Sequence, residues 1–210
     1  SSFSTRIVFT AHPTQFYPPA VLDIIAKLKT LITDNSIDEI DITLRQLGLT
    51  SLINSKKPTP FDEAKNIIYF LRNVYYDAVT DIYADIKKNL KSRDFKNHKI
   101  LQFGFWPGGD RDGNPFVTAN ITKSVADELR MNLMKCYYKD LKSLEKKLTF
   151  KGIEGVISSL RSKLYVTMFD GNETIQHSDI LDPLIRIKEY LALNYNSIYI
   201  QDVVNLIDKV

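Results

Sequence analysis

The chain has 210 residues, of which 44% are hydrophobic and 25% charged, with a formal net charge of +3. That composition suits a protein with one sizeable core or two small ones, and the charge is too mild to make a nucleic acid the default partner. The single cysteine, Cys136, excludes an internal disulfide framework and a cysteine metal cluster, and no apolar run approaches the ~20 residues that span a membrane. No signal-peptide pattern precedes Arg6, so a cytoplasmic location is expected.

In chain order, Arg6-Ile7-Val8-Phe9-Thr10 reads as a first strand, and its continuous apolar centre predicts burial on both faces. It breaks into Ala11-His12-Pro13-Thr14-Gln15. Pro18 and Pro19 can open a helix, where a missing N–H costs little. Val21, Ile24, Ile25, Leu28, Leu31 and Ile32 then form one apolar stripe at helical spacing. Ser36-Ile37-Asp38-Glu39 has the pattern of a capping box and predicts a second helix to about Leu47. Thr59, with Pro60 in the first turn, predicts a long helix whose stripe runs Ala64, Ile67, Leu71, Val74, Ala78, Ile82 and Ile86. The stretch Lys87 to Lys99 carries six Lys or Arg residues and reads as a solvated helix end and loop. No stacking aromatics alternate with those charges, so no nucleic-acid partner is expected.

Ile100 to Trp106 mixes β-branched and aromatic residues around Gly104 and reads as a second strand. It runs into Pro107-Gly108-Gly109-Asp110-Arg111-Asp112-Gly113-Asn114-Pro115. Thr118 or Thr122 opens another long helix, through Leu148. Cys136 lies on its apolar stripe beside Leu133 and Tyr137 and reads as a core residue. Shorter helices follow near Ile153–Leu164, Ser178–Leu193 and Gln201–Lys209, with a turn at Asp170-Gly171-Asn172. Tyr75-Tyr76 and Tyr137-Tyr138 read as helix packing. There is no internal repeat or low-complexity linker. The fold class is therefore mainly α with two β-strands.

The two loops that follow the strands hold the groups with chemical potential. In the second, glycines allow close backbone approach to a ligand, and Arg111 offers a planar fork of donors suited to carboxylate or phosphate. Asp110 and Asp112 can hold that fork in one orientation. The competing reading is a surface turn with a local Asp–Arg pair, since Gly, Asp, Asn and Pro are ordinary turn residues. In the first loop His12 suits proton transfer near neutral pH; the competing reading is a histidine that caps a strand end. His98 and His177 carry no motif and receive no role.

Taken together, Thr10-Ala11-His12-Pro13-Thr14-Gln15 and Gly108-Gly109-Asp110-Arg111-Asp112-Gly113-Asn114-Pro115 resemble two signatures of the phosphoenolpyruvate carboxylases. Lys57-Pro58-Thr59-Pro60-Phe61-Asp62-Glu63-Ala64 is similar to that family's Pro-Thr-Pro helix start, and Leu160-Arg161-Ser162-Lys163-Leu164-Tyr165 to its Arg-x-Lys-Leu segment. The resemblance covers the whole chain, 1–210, as a single region.

The resemblance implies the N-terminal portion of an incomplete (β/α)8 barrel, carrying two barrel strands near 6–10 and 100–106 and surrounded by long helices. Loops at the C-terminal ends of such strands build active sites. It further implies a carbon–carbon lyase that fixes carbon by forming oxaloacetate and phosphate from phosphoenolpyruvate and bicarbonate. His12 would handle the carboxyphosphate stage and Arg111 would neutralise substrate or intermediate oxyanions. Asp110, Asp112 and Asn114 would orient the loop, while Gly108, Gly109 and Gly113 would admit backbone to the ligand. Mg²⁺ or Mn²⁺ would act as a Lewis acid in the full-length enzyme, typically a homotetramer. Family members are much longer. Their arginine- and glycine-rich substrate loop, acidic metal ligands and aspartate/malate pocket have no counterpart here, so the chain is expected to be an N-terminal fragment, inactive alone. The alternative is a non-catalytic helical interaction or scaffold domain derived from that fold. Two departures stand out: Phe16, Tyr17, Pro18 and Pro19 replace the family's arginine pair, and Pro107 precedes the double glycine where a larger apolar residue is usual.

Overall fold

A computed structural model describes residues 4–10, 17–53, 57–89, 100–111, 114–169, 174–195 and 199–210. The turn expected at Asp170-Gly171-Asn172 and most of the Lys87–Lys99 cluster lie outside them. The described elements, in order, are β1 (Thr5–Phe9), α1 (Pro19–Thr33), α2 (Ile37–Leu49), α3 (Pro60–Phe70), a π-helical turn (Leu71–Tyr75), α4 (Tyr76–Asn89), β2 (Leu101–Phe105), α5 (Ala119–Lys147), α6 (Glu154–Phe169), α7 (His177–Asn194) and α8 (Ile200–Lys209). Among the described residues the expected mainly helical class with two strands is what is found. No described helix is long and apolar enough to cross a membrane.

β1 and β2 form a two-stranded sheet. The Thr5 N–H donates to the Ile100 carbonyl at 2.6 Å and the Trp106 N–H to the Phe9 carbonyl at 2.9 Å. Pairing that advances along both strands together is parallel. One expectation fails here. Val8 is exposed, because a two-stranded sheet leaves a face open that a wider, covered sheet would bury.

The chain divides into two compact units. Ser1–Ile7, Ile68–Gly104 and Ala126–Val210 make one; Val8–Ile67 and Phe105–Val125 make the other.

The larger unit has the deeper core. Leu141, Leu148, Ile157, Leu164, Leu184, Leu191 and Val203 are almost wholly buried. Each such side chain contributes roughly 1.5–3 kcal/mol through burial. α7 packs on α8 and α6 on α7. Tyr76 and Tyr137 meet with ring centroids 6.1 Å apart, as do Tyr138 and Tyr165, so the tyrosine pairs do serve packing. Cys136 is buried, as expected, and burial pushes its thiol pKa up. The Arg-x-Lys-Leu segment sits on α6 in structural ion pairs: Arg161 with Glu145 at 3.3 Å and Lys163 with Asp179 at 3.1 Å.

The smaller unit is built around the α1–α2 hairpin. α1 starts at Pro19 as predicted and buries Val21, Ile24, Leu28 and Leu31. Ile25 and Ile32 leave the predicted stripe; Ile32 is 64% exposed. The chain turns out of α1 at Asn35, just past its end, where φ is 54° and left-handed. There the Ser36 N–H reaches the Leu31 carbonyl at 3.0 Å and the Asn35 N–H the Ile32 carbonyl at 3.2 Å, the pair of bonds of a Schellman stop. The capping box predicted at Ser36 does not form, since its side chain makes no cap hydrogen bond. At Thr59 the predicted cap does form. Its hydroxyl accepts from the Asp62 N–H at 3.2 Å while Asp62 accepts from the Thr59 N–H at 3.1 Å.

The long helix that follows keeps its predicted stripe only as far as Ile67. The π turn inserts one residue beyond 3.6-residue spacing and rotates what comes after. Val74 is 51% exposed and Ile82 41%, while Thr80 and Tyr83 are buried instead.

Candidate functional site

The parallel pairing of β1 and β2 sends both motif loops off the same end of the sheet. Phe9 accepts the Trp106 N–H, so the chain enters the His12 loop beside the residue that begins the Gly108–Pro115 loop. His12 itself lies outside the described residues, as do Asp112 and Gly113.

The described part of the second loop is a tight turn held from three sides. The Gly109 and Asp110 N–H groups both donate to the Trp106 carbonyl, at 3.0 and 3.1 Å. The Trp106 indole N–H donates to the Asp110 carboxylate. The Thr122 hydroxyl, one turn into α5, donates to the Gly108 carbonyl at 2.8 Å. α5 is itself started by Thr118, whose hydroxyl accepts the Ile121 N–H at 3.3 Å. Of the two threonines that suggested a helix start, one caps the helix and the other ties it to the loop.

Gly108 and Gly109 do different work. Gly108 has φ of +73°, and a Cβ there would fall 2.5 Å from Val125 Cγ2. Only glycine meets both conditions. A Cβ on Gly109 would meet nothing closer than the Trp106 carbonyl oxygen, 3.5 Å away, an ordinary contact. Pro107 is buried next to Gly108 and stiffens the entry to the turn. Beyond the turn, Asn114 accepts the Phe116 N–H on its side-chain oxygen at 3.1 Å and the Val117 N–H on its carbonyl at 3.1 Å. This restrains the loop where it rejoins α5. Arg111, which follows the braced turn in sequence, is exposed.

The described part of the loop is a braced turn followed by one exposed arginine. Chemically it can neutralise a carboxylate or phosphate oxygen brought to the loop. Among the described residues no group of three or more His, Cys, Asp or Glu side chains gathers to hold a metal ion, so the residues at hand do not fit a divalent-cation site. Two contributors escaped the sequence reading: Trp106, counted as the end of a strand, and Thr122, counted as a helix start. A threonine one turn into a helix that follows a glycine loop is the signal that pointed to the second.

A family model described as phosphoenolpyruvate carboxylase matches residues 1–183. The chain belongs to the phosphoenolpyruvate carboxylase family. The phosphoenolpyruvate carboxylase of Shewanella halifaxensis is 28% identical over 233 positions, covering 89% of this chain and 26% of the relative. That of Psychromonas ingrahamii is 29% identical over 232 positions, covering 92% and 26%, and that of Aeromonas salmonicida 25% identical over 238 positions, covering 96% and 27%. The chain thus spans about a quarter of the length of the curated relatives it matches. The matched stretches exceed 210 positions, so those relatives carry additional residues within the shared region.

Proposed function

We propose that this chain is the N-terminal part of a phosphoenolpyruvate carboxylase and carries two of its catalytic loops on the first strands of a (β/α)8 barrel. The observation that carries the reading is the family match over residues 1–183. The parallel β1–β2 pair, which releases both loops at one edge, supports it.

In this reading bicarbonate attacks the phosphorus of phosphoenolpyruvate. The bond from phosphorus to the enol oxygen breaks, giving carboxyphosphate and the enolate of pyruvate. Carboxyphosphate then loses its carboxyl proton and splits into CO₂ and phosphate, and the enolate carbon captures the CO₂ to form oxaloacetate. His12 takes that proton as a general base, a role suited to a histidine near neutral pH. Arg111 faces the phosphoryl and carboxylate oxygens, where a fork of donors is worth most as charge develops. Gly108 lets the loop turn tightly, Asp110 and Asn114 hold its path, and the family motif gives Asp112 the same orienting role. The residues described here do not fit a divalent-cation site, and no step is assigned to one.

The test separates the two halves of the reaction. In the longer enzyme that carries this chain, His12→Asn is expected to keep phosphoryl transfer and lose carbon–carbon bond formation. Phosphate and pyruvate then accumulate at the expense of oxaloacetate. An unchanged ratio of oxaloacetate to phosphate removes His12 from that step. The 210 residues alone are expected to form no oxaloacetate from phosphoenolpyruvate and bicarbonate. A bicarbonate-dependent signal from purified chain, read with a coupled dehydrogenase, defeats that expectation.

A further inference from the structure

Within the larger unit an open cavity of about 270 Å³ lies between the π turn and the middle of α5. Arg72, Lys135 and Lys139 line it, together with Tyr76, Asp77 and Asp140. The two carboxylates are already engaged. Lys209, nearly buried on α8, binds Asp77 at 2.8 Å and Asp140 at 3.1 Å. The Tyr76 hydroxyl also donates to Asp140, at 2.9 Å, and the Lys209 ammonium sits 4.3 Å from the Tyr76 ring centroid. Burial alone lowers the Lys209 pKa, but its bonds to the two carboxylates outweigh that, and it ends above the usual lysine value.

The three lining cations are in the opposite condition. Among the described residues neither Lys135 nor Lys139 has a carboxylate within ion-pair reach, and both side chains are exposed. Arg72 makes one long bond, from Nη1 to Asn132 Oδ1 at 3.5 Å. With the acids tied to Lys209, the cavity faces solvent with unspent positive charge. Lys135 and Lys139 are four residues apart on α5 and so lie on one face, and Arg72 approaches from the π turn.

The π turn is a second and independent observation. Such turns sacrifice regular helix bonding and recur at functional sites. None of the residues Leu71–Tyr75 is buried, so core packing does not account for this one. Two of its residues, Arg72 and Asn73, line the cavity.

We infer that the cavity between the π turn and α5 is a binding site for a dianionic phosphate group, either free phosphate or a small phosphate monoester. An arginine fork with two flanking ammoniums matches three phosphate oxygens. The volume lies just below the usual range of ligand cavities, leaving room for a phosphate and a few further atoms. The Lys209 clamp keeps Asp77 and Asp140 from repelling the ligand.

The experiment uses the full 210-residue chain carrying Arg111→Gln, so that phosphate bound at the Gly108–Pro115 loop does not contribute. Inorganic phosphate and glycerol 2-phosphate are titrated calorimetrically at constant ionic strength, with glycerol as the neutral control. Saturable binding tighter than ~1 mM is expected for at least one of the two phosphates and none for glycerol. The two arms tell the sources apart: equal affinities assign the site to free phosphate, and a tighter monoester assigns it to a phosphorylated small molecule. Lys135→Gln with Lys139→Gln is expected to weaken binding at least tenfold with the melting temperature unchanged, because both side chains are exposed. Arg72→Gln is expected to weaken it as well. Lys139→Gln alone serves if the double variant folds poorly. Binding of undiminished strength in the lysine variants, or no saturation by about 10 mM of either phosphate, overturns the assignment.

Discussion

The α1–α2 hairpin and the α6–α8 bundle are written with the same apolar periodicity but bury it to different depths. In the bundle, Leu164, Leu184 and Leu191 are completely enclosed. In the hairpin α2 buries Thr43 alone, while Ile37, Ile42, Leu44 and Leu49 stay exposed. The unit with the shallow core is also the one that holds Arg111 and, by sequence, His12. The turn that leads to Arg111 is braced locally, by Trp106 and Thr122, and most of the buried apolar side chains lie in the other unit. Activity and stability should therefore respond to different residues.

The sharpest way to break that contrast is to trim one apolar side chain in the bundle and one on α2. Leu184→Ala is expected to cost about 2–5 kcal/mol, from lost transfer energy plus the cavity left behind. Ile42→Ala, at a position 65% exposed, is expected to stay within about 0.5 kcal/mol. Urea unfolding measures both, and comparable losses would show that the open apolar face of α2 carries as much stability as the bundle core.

Next comes Arg111. In the longer enzyme, Arg111→Gln is expected to lower turnover by about 10²–10³, the worth of one donor set aimed at developing charge. The melting temperature should scarcely move, because an exposed loop arginine adds about 0–1 kcal/mol to folding. Arg111→Lys should restore little, since a point charge does not replace a fork. Near-normal turnover in Arg111→Gln would make the loop structural.

The paired glycines sharpen the comparison further. Gly108→Ala meets Val125 and takes a strained φ, an expected cost of about 1–3 kcal/mol, whereas Gly109→Ala meets only ordinary contacts and should stay within about 0.5 kcal/mol. Thermal unfolding of the two variants reads the difference.

The smallest effect is at the start of α3. The Thr59 hydroxyl first, and Lys65 second, hold the Asp62 carboxyl at about 2 against an ordinary 3.8. A folded-state value below the unfolded one stabilises above about pH 4, and the gain fades as the pH falls toward about 2. Thr59→Ala is therefore expected to cost about 1 kcal/mol at neutral pH and progressively less below about pH 4. A constant difference across that range, followed by urea unfolding, would locate the cost elsewhere than in this carboxylate.

Much of the fold could be read from spacing. Thr59 with Asp62, Pro19 at the head of α1 and the leucines of α6–α8 follow local rules that one sequence displays. The misses have tertiary causes. Val8 looked buried because three apolar residues in a row do not reveal how many strands flank them. Ser36 looked like a cap because the Schellman stop at Asn35, which fixes the backbone there, depends on a left-handed asparagine that composition does not announce. At the candidate site, the glycines and Arg111 were legible as a loop, but the Trp106 and Thr122 tethers join residues whose partners are set by the turn itself. The Arg72–Lys135–Lys139 grouping joins side chains more than sixty positions apart, which no local pattern records.

The single surplus residue at Leu71–Tyr75 makes the helix before it and the helix after it keep different time. Deleting Asn73 would remove the surplus and leave Thr80 and Tyr83 on the side they now bury, whereas closing the turn to 3.6 residues per turn with Asn73 kept would swing them about 100° away and bring Ile82 toward it. A one-residue deletion is thus absorbed at the π turn, while the same deletion within α4 would rotate every later side chain at once. Tolerance to length and tolerance to identity should part company at this turn.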